Sequence, residues 1–357
     1  MSEQRAVRAT ILRGGSSKGI YLLENDLPRD PQLREKVILA IFGSPDKRQI
    51  DGLGGADPLT SKVAIVGPSS REGADVDYTF GQVAIDQAKV YTHAICGNIS
   101  SGVGPFAIDQ GLVKAVEPLT TVKIYNTNTG KILTAHVPVK DGKAAVEGDY
   151  SIAGVPGTGA KVTLDFSATA GALTGKLLPT GNVRDTMELH GIGKIAVSIV
   201  DAATCQVFVR AEDLGLTGTE SPIETDARPE LLQTLETIRC HAAVMAGLAP
   251  TPEAAAEKSK NTPHIVFFSE AKDYVNYLNQ EPINAQDVDL LARMMFMQIM
   301  HKTYAGTGSL CTAAAAAIPG TIVHEAVKKE AVNSQRVRIG HPAGIMEVEV
   351  EVRRDEN

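Results

Sequence analysis

The chain of 357 residues is 43% apolar and 22% charged, more apolar material than one compact unit comfortably holds, so two domains are expected. Its formal charge of −7 is spread along the chain without a basic run, which argues against nucleic acid as a partner. No apolar stretch approaches the roughly 20 residues that cross a bilayer, and the opening MSEQRAVRAT lacks the apolar core of a signal peptide, so a cytoplasmic protein without a membrane partner is expected.

In chain order, apolar periodicity predicts a first helix over 31–42, then short β-branched strands at 63–66, 122–125, 161–164 and 348–352, punctuated by Gly, Pro, Asn and Asp. These belong to mixed or antiparallel sheets. Further helices are predicted over 229–248 and, after asparagine and acidic start signals, over 287–300. Two segments, 96–112 and 308–317, open with glycine and small polar residues and continue as apolar, small-residue helices. The alanine run 313–317 fits only a tightly packed, buried helix.

The chain repeats itself. ILRGGSSKGIYLLENDL (11–27) aligns without gaps on SIVDAATCQVFVRAEDL (198–214), and TSKVAIV (60–66) resembles TPHIVFF (262–268). Each half then presents one glycine-rich helix start. With the break near LLPTGNVRD (177–185), the domains are 1–184 and 185–357, with room for terminal strands to cross between them. Two similar halves predict a pseudo-symmetric pair of sheets wrapped around central helices, with the site in the cleft between them.

Candidate chemistry concentrates at the helix starts. In CGNISSGVGPF, Cys96 stands at the mouth of a helix whose first amides are unpaired and whose dipole end is positive, which acidifies a thiol and attracts a carboxylate. AGTGSLC (305–311) repeats the device in the second half, so together the two suit a substrate with two carboxylates. Taken singly, each start also fits glycines placed for packing alone.

In RGGSSKG (13–19), two glycines and two adjacent hydroxyls form a strand-to-strand turn able to hydrogen-bond a carboxylate or an enolate. Without a following helix it is no nucleotide cradle. Lys62 heads an apolar strand after the turn DGLGGADP; it reads either as a solvated charge or, in a cleft beside positive helix ends, as a lysine of lowered pKa serving as general base. Cys96, Cys205, Cys240 and Cys311 lie too far apart for a zinc site, and His301, His324 and His341 lack a metal-ligand spacing, so no metal is expected.

The motifs RGGSSKG, QIDGLGGADPLTSKVAIV, ICGNISSGVGPFAIDQGLV, NTNTGK, IAGVPGTGA and LLPTGN resemble the PrpF and methylitaconate isomerase family over residues 5 to 350. The resemblance implies an α+β, diaminopimelate epimerase-like fold: two pseudo-symmetric domains, each a mixed, mostly antiparallel sheet wrapped around a central helix. It also implies a cofactor-independent isomerase that shifts a proton and a double bond in a small unsaturated di- or tricarboxylate. 3-Methylitaconate, converted to dimethylmaleate, is the first expectation. Aconitate isomerisation and 4-oxalomesaconate tautomerisation are the alternatives, and a carboxylate-binding protein without chemistry is the rival from another class.

By that resemblance Lys62 is the proton acceptor and donor, Ser17 the turn serine and Cys96 the helix-opening thiol, with Ser16, Lys18, Gly97, Asn98, Gly306, Thr307, Gly308 and Ser309 contacting substrate. No cofactor is implied, and association into a homo-oligomer stays open. Epimerases of the wider group open the second helix with Cys-Gly-Thr-Gly, whereas this chain has Ala305-Gly306-Thr307-Gly308. A two-thiol racemase is therefore disfavoured. Cys311 lies two turns into the helix, as a core residue would. The chain also stops at VEVEVRRDEN, where the family usually continues for a further strand, and the expectation is an exposed sheet edge.

Overall fold

The computed structural model describes residues 5–92 and 94–353. The chain divides into two compact units, Met1–Thr169 and Ala170–Asn357. The division falls ahead of the turn at 177–185 because the intervening segment is tied to the second unit. Gly171 N–H donates to the Asp201 carbonyl at 2.7 Å, and Leu173 and Thr174 N–H donate to the Asp201 carboxylate at 2.9 and 2.7 Å.

In the first unit, β1 (Thr10–Gly14) and β2 (Ser17–Leu23) form a hairpin, β3 (Lys62–Pro68) joins β2 in parallel, and β4 (Val76–Val83) pairs antiparallel with β3. The strand Leu119–Asn126 then runs parallel to β4, and Lys131–Lys140 returns antiparallel beside it. Helix α1 (Pro31–Phe42) covers one face, packing Ile38, Leu39 and Phe42 on Ile20, Leu22, Val63 and Ile65. The other face holds α2 (Gly97–Ser100) and α3 (Val103–Asp109), whose Ile99, Val103 and Phe106 pack on Tyr21, Ala64, Val66 and Tyr78.

The helix expected over 96–112 is thus broken in two. A Cβ at Gly102 would lie 2.3 Å from the Tyr21 hydroxyl, so the chain is pinched against β2 at that point. Pro105 falls in the first turn of α3, where its missing N–H is not needed.

The second unit repeats the ladder. Gly193–Ala202 pairs antiparallel with Thr204–Arg210, then His264–Glu270 parallel, Leu290–Phe296 antiparallel, Arg336–His341 parallel and Gly344–Glu349 antiparallel, with Asp185–Leu189 added at the front. Its central helix is Gly306–Ala317, and Pro229–Met245 covers the opposite face.

The segment expected as a helix over 287–300 is instead a strand, Leu290–Phe296, followed by a turn through Met297 and Gln298 at positive φ. Buried on both faces, it is a continuous apolar run, which periodicity alone cannot tell from a buried helix. Asp289, which looks like a helix-start signal, accepts instead from the Arg338 backbone N–H and guanidinium, both at 2.7 Å. Among the described residues no helix is long and apolar enough to cross a membrane.

Candidate active site

The site in the first unit begins at the β1–β2 hairpin tip. Gly14 pairs with Ser17 across a two-residue turn in which Gly15 has φ 53°, a value that tight hairpins require and glycine adopts freely. A Cβ on Gly14 would lie 2.2 Å from the Asn98 carbonyl oxygen, and one on Gly15 2.4 Å from Asn98 Oδ1. The tip therefore seats directly on the start of α2. There Asn98 Nδ2 donates to Ser16 Oγ at 3.0 Å and to Ser17 Oγ at 3.3 Å. A hydroxyl that accepts keeps its own O–H to donate, which suits it to a carboxylate or enolate oxygen.

Lys62, first residue of β3, pairs with Gly19 on one side and Gln82 on the other. Strand alternation gives it the face shared with Ala64 and Val66, the face of α2 and α3. Only 3% of it is exposed. Its ammonium donates to Gln82 Oε1 at 2.7 Å and lies 5.4 Å over the Phe80 ring. Burial lowers its pKa, against the opposing pull of the nearby Cys96 thiol and of Asp57.

Cys96 is the N-cap of α2, and no side chain caps the helix. The phenols of Tyr21 and Tyr78 stand close enough to feel it: burial raises both pKa values, and Cys96 adds to the rise. Tyr21 donates to the Ile99 carbonyl at 2.5 Å, fixing α2 to β2. Ser16, Ser17, Asn98, Lys62 and Cys96 are therefore one group, joined through the hairpin tip, the β3 head and the α2 mouth.

Lys18 is placed differently. Its backbone N–H donates to Leu59 at 2.9 Å, and its ammonium would lie 3.4 Å from a Cβ at Gly55, on the sheet face opposite Ser17. Gln82, Tyr21 and Tyr78 did not stand out in the sequence. Tyr21 and Gln82 sit in continuously buried stretches of strand and Tyr78 in an alternating one, and only the pairing of Lys62 with Gln82 reveals the amide's position.

In the second unit the Gly306–Ala317 helix begins at Ala305, again with no side-chain cap. Thr307, Gly308 and Ser309 are buried there, and Ser309 Oγ donates to the Gly306 carbonyl at 2.8 Å. A Cβ on Gly308 would lie 2.8 Å from Met294 Sδ and 2.9 Å from Gln206 Nε2, so a side chain there would have to displace those two. Cys311 is fully buried, donates to the Val200 carbonyl at 3.2 Å, and has its pKa pushed far up by burial. It is a core thiol. Among the described residues no group of three or more His, Cys, Asp or Glu is arranged to hold a metal.

The family model described as PrpF protein matches residues 4–357. The chain is 56% identical over 348 residues to 3-methylitaconate isomerase of Eubacterium barkeri, covering 98% of this chain and 91% of that protein. It is 40% identical to 2-methyl-aconitate isomerase of Shewanella oneidensis, covering 97% of this chain and 89% of that one. Identity is likewise 40% with 4-oxalomesaconate tautomerase of Pseudomonas putida, covering 97% and 90%.

The crystal structure of a methylitaconate-delta-isomerase superposes with a TM-score of 0.82 at 55% identity, covering 99% of this chain and 90% of that one. A hydroxyproline epimerase from Agrobacterium vitis, at 16% identity and a TM-score of 0.53, covers 94% and 82% and shares the fold alone. The fold is α+β and diaminopimelate epimerase-like, as the resemblance implied. On these matches the chain belongs to the PrpF family and is an isomerase.

Proposed function

We propose that the protein isomerises 3-methylitaconate to dimethylmaleate by a cofactor-independent allylic proton shift. The observation that carries the reading is Lys62, buried with a lowered pKa on which the Cys96 thiol acts, at the head of a strand beside the hairpin whose Ser16 and Ser17 are held by Asn98. The named activity of the relative at 56% identity selects the substrate among those of the family.

In this reading the neutral Lys62 amine takes the proton from the methyl-bearing carbon next to a carboxylate. The C–H electron pair moves into a dienolate, whose oxygens Ser16 and Ser17 contact. The methylene carbon two positions away then takes a proton from the Cys96 thiol and becomes a methyl group. The thiolate left behind recovers a proton from the neighbouring Lys62 ammonium, so the site returns to its starting state.

A substrate carboxylate docks at the amides of Gly97 and Asn98, since an uncapped helix start holds an anion without a basic side chain; the start at Gly306, Thr307 and Gly308 offers donors of the same kind in the second unit. Because these donors are fixed before reaction, they favour the charge that develops in the dienolate over that of the ground state.

Proton NMR in D2O without added cofactor tests the reading with 3-methylitaconate, cis-aconitate and 4-oxalomesaconate. The expected result is dimethylmaleate carrying deuterium in a methyl group. Turnover of another acid instead would change the substrate and keep the chemistry. Exchange at one carbon without bond migration would mean a racemase, and no exchange with any acid would leave a carboxylate binder.

A further inference from the structure

We propose that Gln82 is a positioning residue for Lys62, its amide locked so that a neutral acceptor and no charge meets the lysine nitrogen. The proposal rests on the reading of Lys62 as the base.

The lock is visible in the hydrogen bonds. Gln82 is 1% exposed, and its Nε2 donates to two backbone carbonyls, Pro58 and Ser61, each at 3.1 Å. Carbonyls can only accept, so the amide nitrogen is committed to that side. Its Oε1 must then face the other way, where Lys62 Nζ lies 2.7 Å away. The two carbonyls belong to the loop that leads into β3 and to the residue just before Lys62, so the same amide fixes both the strand head and the side chain upon it.

The electronic consequence follows from the choice of amide over carboxylate. A base must hold a lone pair, and a neutral amine can give one N–H to Oε1 while directing its lone pair elsewhere. A carboxylate at that distance would favour the ammonium strongly. Among the described residues, the other groups facing Lys62 include the Cys96 thiol, the Asp57 carboxylate and the ring of Phe80, with Cys96 in turn acting on the phenols of Tyr21 and Tyr78. Asp57 already pulls towards the ammonium, so a second carboxylate at position 82 would oppose the effect of burial. Glutamine has the length of glutamate without that charge.

Gln82→Glu tests this at unchanged side-chain length, the Nε2 donor to Pro58 and Ser61 being given up for an oxygen. The nitrogen NMR shift of Lys62 Nζ is followed against pH in lysine-labelled protein, with the signal assigned by its loss in Lys62→Met. The titration midpoint should rise by about one unit or more. At neutral pH kcat/KM should fall about tenfold for each unit and recover as pH passes the new midpoint. Gln82→Met keeps the volume and removes both the acceptor and the donor to Pro58 and Ser61, so it should melt lower than the wild type, with kcat falling and KM little changed.

An unmoved midpoint in Gln82→Glu, or wild-type kcat in Gln82→Met, would overturn the role of Gln82. Because the nitrogen titration needs no substrate, a shifted midpoint in a protein that turns over none of the acids would sink the isomerase reading alone.

Discussion

Lys62 and His264 hold the same place in the two halves of the chain. Lys62 heads β3 and pairs in parallel with Gly19; His264 heads the strand His264–Glu270 and pairs in parallel with Gln206. Each precedes residues that pack against the central helix of its own unit, Ala64 and Val66 in one, Val266 and Phe268 in the other. Their surroundings have parted. Lys62 meets the Gln82 amide, whereas the His264 ring lies edge-on to Phe296 with centroids 5.4 Å apart. At the helix mouths the difference recurs, with Cys96 in one unit and Ala305 in the other. A duplicated frame has kept an amine and a thiol in one half only.

Replacing Lys62 separates activity from stability. Its lowered pKa means that the unfolded chain binds the proton more tightly than the folded one, so below the ordinary lysine range the side chain works against folding. Lys62→Ala should lower kcat by about a hundred- to ten-thousand-fold, the usual contribution of a general base, with the fold retained by circular dichroism. Lys62→Met should be equally inactive yet melt above the wild type. Unchanged turnover in either would remove Lys62 from the mechanism.

The cysteines should separate as cleanly. All four thiols are buried, but only Cys96 among them acts on the Lys62 ammonium. Cys96→Ala should lower kcat by roughly a hundredfold or more, with little change in melting temperature. Cys311→Ala removes a sulfur that donates to Val200 in the core, so it should cost about 1 kcal/mol in urea unfolding and leave kcat alone. The reverse pattern would assign the chemistry to the wrong helix.

Local signals explain which parts of this were legible beforehand. Helix α1 could be bounded in the sequence because Asp30 accepts from Leu33 N–H, Pro31 opens the helix and Gly43 closes it in the left-handed region. The repeat was visible because it runs without a gap: β2 and the strand Thr204–Arg210 keep their alignment from end to end. Leu290–Phe296 misled because Leu290, Ala292 and Met294 face one core and Met295 another, leaving no polar face to mark a period of two. Gln82 was invisible for another reason. Its role depends on the register between β3 and β4 and on carbonyls at Pro58 and Ser61, neither of which is written in its neighbours.

The hairpin tip offers a test of how closely the site is built. At Gly14 a methyl group would meet the Asn98 carbonyl oxygen at 2.2 Å, a backbone atom that cannot turn away. Gly14→Ala must lift the tip from α2 and stretch the bonds from Asn98 to Ser16 and Ser17. The overpacking should cost about 1–3 kcal/mol. It should also raise KM and lower kcat, whereas Gly142→Ala, in a turn where a Cβ would meet nothing within 4 Å but φ is +73°, should lower stability alone. Equal kinetics in the two variants would mean that the serines act without help from Asn98.

His341 makes the second unit sensitive to acid. Its side chain is fully buried, its Nδ1 accepts from Ala343 N–H at 3.2 Å, and its ring stacks on Tyr304 with centroids 6.4 Å apart. Burial, with the nearby Arg293 guanidinium adding to it, pushes its pKa from 6.5 down to about 3. The folded protein therefore keeps the ring neutral where the unfolded chain protonates it. This contribution to stability is fully present above about pH 6.5 and is lost as pH falls towards 3, at about 1.4 kcal/mol per unit, or roughly 2 kcal/mol by pH 5. His341→Asn retains an acceptor for Ala343 N–H and cannot be charged. Near pH 7.5 it should be less stable than the wild type by about 1–2 kcal/mol through lost packing, but it should lose less on acidification, so that urea midpoints of the two proteins converge by about pH 5. Parallel midpoints across that range would mean that His341 takes up its proton in the folded state as readily as in the unfolded chain, and that the buried ring has a partner able to hold its charge.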